Sequence, residues 1–345
     1  MSAFQPILLR LVRESMGESQ AAFAGRFDLK QAVWSKYENG GAEPTGETLD
    51  AIGRETGYDR NFFFQGGADV PAGLVFHRKR SSLSATVRDR IEAEARLRAI
   101  DAAALCRARG VRSKLPAKIG RTPEAAAQAV RECWNCGTGP IVNLVDVLDR
   151  NGIVVLEFDF ETGLLDGFFL RLPDDGLVCI ALNSNLSVAA DRRHFTLAHE
   201  LGHALLHREA FPGSDAEKEA DRFAAEFLLP ASSAQTELLP KYTFADLKRL
   251  KARWKVSMAA ILHRSRKLGL LSESRYRGYF VYLNKIGCRK NEPPCGVGRH
   301  ESRLVLHLLS KVYPDGDVAK AADALHLSVA RVRTRYPAFG REMSA

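Results

Sequence analysis

Two histidines four residues apart, with a glutamate directly after the first, constrain this chain more than any other feature. In His199-Glu200-Leu201-Gly202-His203 the imidazoles converge when the segment is an α-helix, because residues i and i+4 then project from one face. On that face His199 and His203 can hold one metal ion between them. Glu200 then stands beside whatever water the ion carries. Such a pair leaves coordination positions for a third protein ligand and a water, and the neighbouring carboxylate can take that water's proton.

The surrounding residues suit this geometry. Residues 192–206 read as one amphipathic helix, with Phe195, Leu201, Leu205 and Leu206 supplying apolar surface. Gly202 costs helix propensity, and a small residue there would let another segment come close. After a Pro212-Gly213 turn, a second helix is expected over residues 215–229, stopped by Pro230. One of its faces carries Glu217, Ala220, Asp221, Ala224 and Leu228. Glu217 is the candidate third ligand, and Asp221, one turn on, can orient a ligand histidine by accepting its other N–H. Ser214-x-x-Glu217 also fits a capping box, in which the Glu only caps the helix. The two-histidine half-site upstream favours the ligand role. Glu219 is the next candidate, but it falls on another face.

These residues resemble a family. The runs RRHFTLAHELGHALLH and EKEADRFAAEFLLP are similar to the ImmA/IrrE metallopeptidases, a gluzincin-like group, and the resemblance extends over about residues 140–270. It implies one catalytic Zn2+ on His199, His203 and Glu217, with Glu200 as general base. Leu229 stands where the family often has Met, a volume-conserving exchange. GLVCIALNSN, residues 176–185, resembles the family's strand and loop leading into the active-site helix. The family's activity would be endopeptidase cleavage of a repressor, often itself a helix-turn-helix protein, in response to DNA damage or mobile-element stress.

At 345 residues and 46% hydrophobic composition, two to three domains with ample cores are expected. No apolar segment follows basic residues near the start, and no run of 18 apolar residues occurs, so neither a signal peptide nor a membrane span is expected. Six cysteines in so long a chain point to a reducing cytoplasm rather than a disulfide scaffold. The net charge of +9 is unevenly spread: −3 over residues 1–75, +9 over 76–121, −11 over 122–240 and +14 over 241–345. Solvated helix surface would explain either basic block, but two of them flanking an acidic core favour a polyanion partner, most simply duplex or single-stranded DNA.

Residues 18–57 have the rhythm of a helix-turn-helix, with Ser19 capping a short helix, a turn at residues 27–29 and a second helix over residues 30–39. Ala24 is small where the helices would cross. Gln20, the run Trp34-Ser35-Lys36-Tyr37-Glu38-Asn39-Gly40, Pro44 and Leu49 resemble the XRE (Cro-like) family over about residues 5–65. The resemblance implies that Gln20 contacts phosphate while Gln31, Ser35 and Lys36 face the major groove. The acidic balance of this module leaves docking of a partner protein as the alternative use. Trp34 and Phe23 read as core residues.

The expected organisation is α+β: a helix-turn-helix domain (residues 1–70), a basic linker helix (71–121), a zinc peptidase domain with a small sheet (122–271) and a basic, mixed C-terminal region (272–345). In the linker, Ile91, Ala95, Leu97, Ile100, Ala104 and Leu105 would bury one stripe and leave Arg88, Arg96, Arg98, Arg107 and Arg109 largely wet, whether as a signal-carrying element or a spacer. Helices are expected over residues 125–134 and 141–151, strands in GIVVLEFDF, DGFFLRL and GLVCIAL, and a helical pair over 243–254 and 257–268. His263 is a candidate oxyanion stabiliser, with helix packing as its plainer role. YRGYFVYLNKIG reads as a strand pair, and residues 317–341 as a capping helical pair or a second DNA-facing element. Cys133-x-x-Cys136 with Cys288 and Cys295 could form a structural zinc site, or one thiolate could cap the catalytic zinc in a latent state.

Two functions from different classes fit these observations. One is a cytoplasmic zinc endopeptidase that controls transcription by cutting a partner repressor, with nucleic acid as activator. The other is a DNA-binding XRE-type regulator whose metal is structural or sensory. The intact Glu200 favours the first, because a structural site needs no base beside the water.

Overall fold

A three-stranded sheet separates two apolar cores, and its alternating side chains feed both. In the computed structural model, which describes residues 3–65, 83–172, 176–185, 190–207, 214–289, 291–294 and 300–340, the strands are β1 (Val154–Phe158), β2 (Gly167–Arg171) and β3 (Val178–Asn183). Their order is β1-β3-β2, with β1 parallel and β2 antiparallel to β3. Val154, Leu156, Phe168, Leu170, Cys179 and Ala181 face one core. Val155, Phe169, Val178, Ile180 and Leu182 face the other. This is the period of two that a pleated strand imposes, and because both faces are covered, all six residues of β3 are buried.

The helices are α1 (Pro6–Ser15), α2 (Gln20–Gly25), α3 (Gln31–Glu38), α4 (Gly46–Thr56), α5 (Ala85–Ala108), α6 (Pro123–Cys133), α7 (Leu144–Arg150) and α8 (Ala190–Leu206). They continue as α9 (Ser214–Leu228), α10 (Ala231–Glu237), α11 (Phe244–Trp254), α12 (Met258–Lys267), α13 (Glu273–Lys285), α14 (Leu304–Val312), α15 (Val318–Ala324) and α16 (Val329–Arg335). The chain is therefore mainly helical with one small sheet, an α+β arrangement. Most starts are chemically marked: Ser19, Thr45, Ser84, Thr122, Ser257, Ser272 and Ser328 each accept a backbone N–H from the first turn. Thr243 and Asp246 form a reciprocal capping box at α11. Among the described residues no helix is long and apolar enough to cross a membrane.

On one side of the sheet, α1–α4, the 3-10 turn Arg60–Phe64, α5 and α14–α16 share a single core. Trp34 is fully buried there, edge-on to Phe23 and stacked on Phe27. The turn between α2 and α3 places Asp28 at φ 55°, a left-handed conformation that Asp tolerates better than most residues. The long helix α5 departs from the wet connector expected of it. It packs on α1, α14 and β1, so burial extends beyond one stripe to Ala93, Ala99, Asp101, Ala102, Ala103 and Cys106. Arg88, Arg96 and Arg98 are half-buried, and only Arg107 and Arg109 of the predicted wet set are exposed. Small alanines on successive faces, Ala93, Ala99, Ala102 and Ala103, admit neighbours on three sides, whereas of the alanines the expected stripe took in only Ala95 and Ala104.

The second core holds α6–α13. Here the strand pair expected in YRGYFVYLNKIG is corrected: that segment lies in α13. Tyr276, Tyr279, Phe280 and Leu283 recur at helical spacing and pack on this core. Aromatic content suggested a strand, but the spacing decides. The C-terminal pair α15–α16 folds back on the N-terminal module, where Leu327 bridges Tyr58 and Ser328 N donates to Gly57 O at 2.8 Å.

Candidate metal centre

Helix α8 is fixed from several directions before it presents any ligand. Arg193 donates to both oxygens of Glu157 on β1 at 2.6 and 2.7 Å, Arg192 to Asp166, and Arg171 on β2 to the Ala204 carbonyl at 2.6 Å. Asp191 pairs with the buried ammonium of Lys251 at 2.6 Å, which also meets Glu292 at 2.8 Å. Bidentate and buried pairs of this kind fix geometry more than they add stability.

Helix α9 then lies against α8 at Gly202. A Cβ at that position would meet the Phe223 ring at 2.9 Å, so glycine is what permits the close approach. The approach brings Glu217 onto the histidine face. His199 Nε2 and His203 Nε2 lie 3.0 Å apart, Glu217 Oε1 is 3.3 Å from His203 Nε2, and Glu217 Oε2 is 3.7 Å from His199 Nε2. All three donor atoms fall within 4.8 Å of one another. Tetrahedral ligands about 2.0–2.1 Å from one Zn2+ are separated by roughly 3.3 Å, so the donor set fits this ion. Among the described residues this is the group of three or more His, Cys, Asp or Glu able to hold a metal, and no described cysteine belongs to it. Cys295 lies outside the described residues.

The second ring nitrogens set the tautomers. His199 Nδ1 is 2.9 Å from Asp221 Oδ1, so an N–H donated there leaves the Nε2 lone pair facing Glu217. His203 Nδ1 is 3.0 Å from His207 Nδ1, and His207 Nε2 is 2.9 Å from Glu219 Oε2. A chain from Glu219 through His207 thus orients His203. Glu219, the second-choice ligand, belongs to that chain rather than to the donor triad. Phe169 of β2 stacks against the His203 ring, with planes 10° apart.

The electrostatics favour a cation. Burial lowers the pKa of His199, but the hydrogen bond to Asp221 and the charges of Glu200, Asp221 and Glu217 more than offset it and hold the pKa above the ordinary histidine value. The site therefore stabilises positive charge that a bound metal ion would supply. Glu200 is only 1% exposed, on the same helix and next to His199.

A cleft of 570 Å³ opens beside these residues, lined by Phe195, Asp221, Leu228, Val256, Ala260 and His263 among others. Phe195 lies 6.2 Å from the His199 ring, so the cleft wall continues into the donor set. His263 is exposed on the opposite helix, with Nδ1 2.8 Å from the Tyr276 hydroxyl. Burial, then Arg289 and Arg266, lower its pKa.

The predicted DNA-facing residues lie on α2 and α3, far along the chain and across the sheet. Gln20 donates to Glu38 Oε2 at 2.7 Å and accepts from Gln31 Nε2 at 2.8 Å. Glu38 is itself buried, bound by Arg13 and by the indole N–H of Trp34. Ser35 is half-buried and accepts from Asn39, while Lys36 is exposed.

Sequence reasoning missed His207. Its signal was present, since His199, His203 and His207 repeat every four residues and so share one face.

The family model of the IrrE N-terminal-like domain, Peptidase_M78, matches residues 148–266, about a third of the chain. The match takes in the sheet, α8 and α9, and most of α12. It supports the ImmA/IrrE resemblance over this segment and indicates a metallopeptidase, in a family that is generally zinc-dependent. No curated protein matches the chain.

Proposed function

We propose that this chain is a cytoplasmic zinc endopeptidase that regulates transcription by cleaving a partner repressor, with nucleic acid as its activator. The observation that carries the peptidase reading is the convergence of His199, His203 and Glu217 within 4.8 Å, with Glu200 buried beside them. A zinc ion held there would polarise a peptide carbonyl and acidify a water. The Glu200 carboxylate accepts the proton of the attacking water and passes it to the departing amine. Asp221 and the His207–Glu219 pair hold the imidazoles in the tautomer and orientation that binding requires. The cleft beside Phe195 receives the substrate backbone, and His263, tied to Tyr276, donates to the carbonyl oxygen as it gains charge.

A helix-turn-helix repressor as substrate follows from the ImmA/IrrE resemblance alone. Activation by DNA follows from the basic blocks at residues 76–121 and 241–345. Gln20, Gln31, Ser35 and Lys36 are the residues through which α2 and α3 would touch the duplex.

The test is Glu200→Gln, which keeps the ligands and removes the base. Cleavage of the co-expressed repressor is expected to fall at least ~100-fold with zinc content unchanged. Cleavage at the normal rate would instead favour a regulator with a structural or sensory metal.

A further inference from the structure

On the far side of the sheet from the metal centre, four arginines line a cavity of 390 Å³ where the end of α4, the middle of α5 and α16 meet. They are Arg54, Arg98, Arg331 and Arg335, and the cavity also takes in Glu94 and Ser328. Arg335 is bound by Asp101 and donates to the Tyr58 hydroxyl at 3.0 Å. Arg98 pairs with Glu94 at 2.7 Å. Arg331 donates to Thr56 O at 2.7 Å and to Tyr58 at 3.0 Å, lies over the Tyr58 ring and has a buried Nε that makes no hydrogen bond.

Charge around this cavity does not balance. Glu55, also on its wall, is paired with Arg26 at 2.8 Å. That leaves Glu94 and Asp101 against four guanidiniums, a surplus of two positive charges. A phosphomonoester dianion carries the complementary charge, and guanidinium forks match phosphate oxygens in pairs. The volume lies within the range of small-ligand sites, about 300–1,000 Å³.

We propose that this junction binds the phosphomonoester of a nucleotide-sized molecule, with Arg54 and Arg331 as its main contacts and Ser328 as a hydroxyl donor. The ligand touches α4, α5 and α16 together, so it braces the N-terminal helices against the C-terminal pair. This assignment is independent of peptidase activity.

Isothermal titration of the full chain with AMP, adenosine, inorganic phosphate and a 5′-hydroxyl single-stranded DNA oligonucleotide tests it. AMP is expected to bind and adenosine to bind at least about tenfold more weakly, with phosphate competing against AMP. Arg54→Ala and Arg331→Gln should each weaken AMP about tenfold, one charge-assisted contact, while Arg150→Ala, at an exposed arginine outside the cavity and outside both basic blocks, leaves AMP affinity unchanged. Arg54 is exposed, so its variant folds whatever becomes of Arg331→Gln. Absence of AMP binding, equal affinity for AMP and adenosine, or indifference to Arg54→Ala overturns the proposal. Oligonucleotide binding that depends on Arg54 while AMP gives no heat reassigns the cavity to nucleic-acid backbone and overturns it as well.

Discussion

Two polar clusters sit in the interior on opposite sides of one sheet, and they are built from opposite chemistry. Around His203 the groups are imidazoles and carboxylates: His199, Glu200, Glu217 and, further out, Asp221, His207 and Glu219. Around Arg335 guanidiniums and carboxylates meet directly, with Asp101 and Glu94 facing Arg98, Arg331 and Arg335. In the first cluster every converging atom offers a lone pair, a donor set that suits a cation from outside the chain. In the second the chain supplies counter-ions for only part of the positive charge, Asp101 and Glu94, and burial makes Arg335 and Asp101 depend on each other. Removing a group therefore has different consequences on the two sides, one felt as lost metal and the other as lost folding.

The largest effect is expected at the first cluster. His199→Ala with His203→Ala should take bound zinc from about one per chain to none, measured by metal analysis of the purified protein, because one remaining carboxylate cannot compete for the ion. Stoichiometric zinc in the double variant would remove the contrast altogether.

Next comes Arg335→Ala. Asp101 is 1% exposed; burial pushes its carboxyl pKa up while Arg335 opposes that shift. Its partner's loss should cost about 3–5 kcal/mol of unfolding free energy, read from urea denaturation, with zinc content unchanged. A second substitution, Asp101→Asn, should recover part of the loss, since neighbouring effects are not additive. If zinc falls in step with stability, the two sides of the sheet are one cooperative unit and the comparison needs redrawing.

The smallest effect separates two histidines of the same helix. His194 is 2% exposed, and burial, then His300 and Arg193, push its pKa down to about 4, whereas His199 beside Asp221 is held above the ordinary value. A base whose folded pKa is depressed binds more protons when unfolded, so its contribution is intact above about pH 6.5 and is lost as the pH falls towards 4. Relative to His194→Asn, which shares every other titrating group, the wild type should lose about 3 kcal/mol between pH 7 and pH 4. A pH-independent difference would show that His194 is not held neutral.

The donor set was legible because its information is local. A four-residue spacing fixes one helix face, so His199, His203 and Glu200 followed from adjacent letters, and Glu217 and Asp221 followed from a second helix bounded by its own punctuation. Gly202 was legible as a close approach, although not that Phe223 would be the neighbour. The spans of α6–α9, α11 and α12 fell within a few residues of expectation for the same reason, α10 was not expected, and α13 was expected as a strand pair although its aromatic residues keep a three-and-four spacing.

What the sequence alone determined was the face of α8 that carries His199 and His203, the acidic partner helix and the three strands. Tertiary structure alone decided that α5 is a core helix rather than a wet connector, that His207 leads from His203 to Glu219, and that residues 304–339 close on the N-terminal module. The physical reason is range. Helix faces and strand alternation are set by backbone periods within a few residues, but burial of small side chains and pairing of Arg335 with Asp101, far apart in sequence, depend on which surfaces meet after the chain has folded.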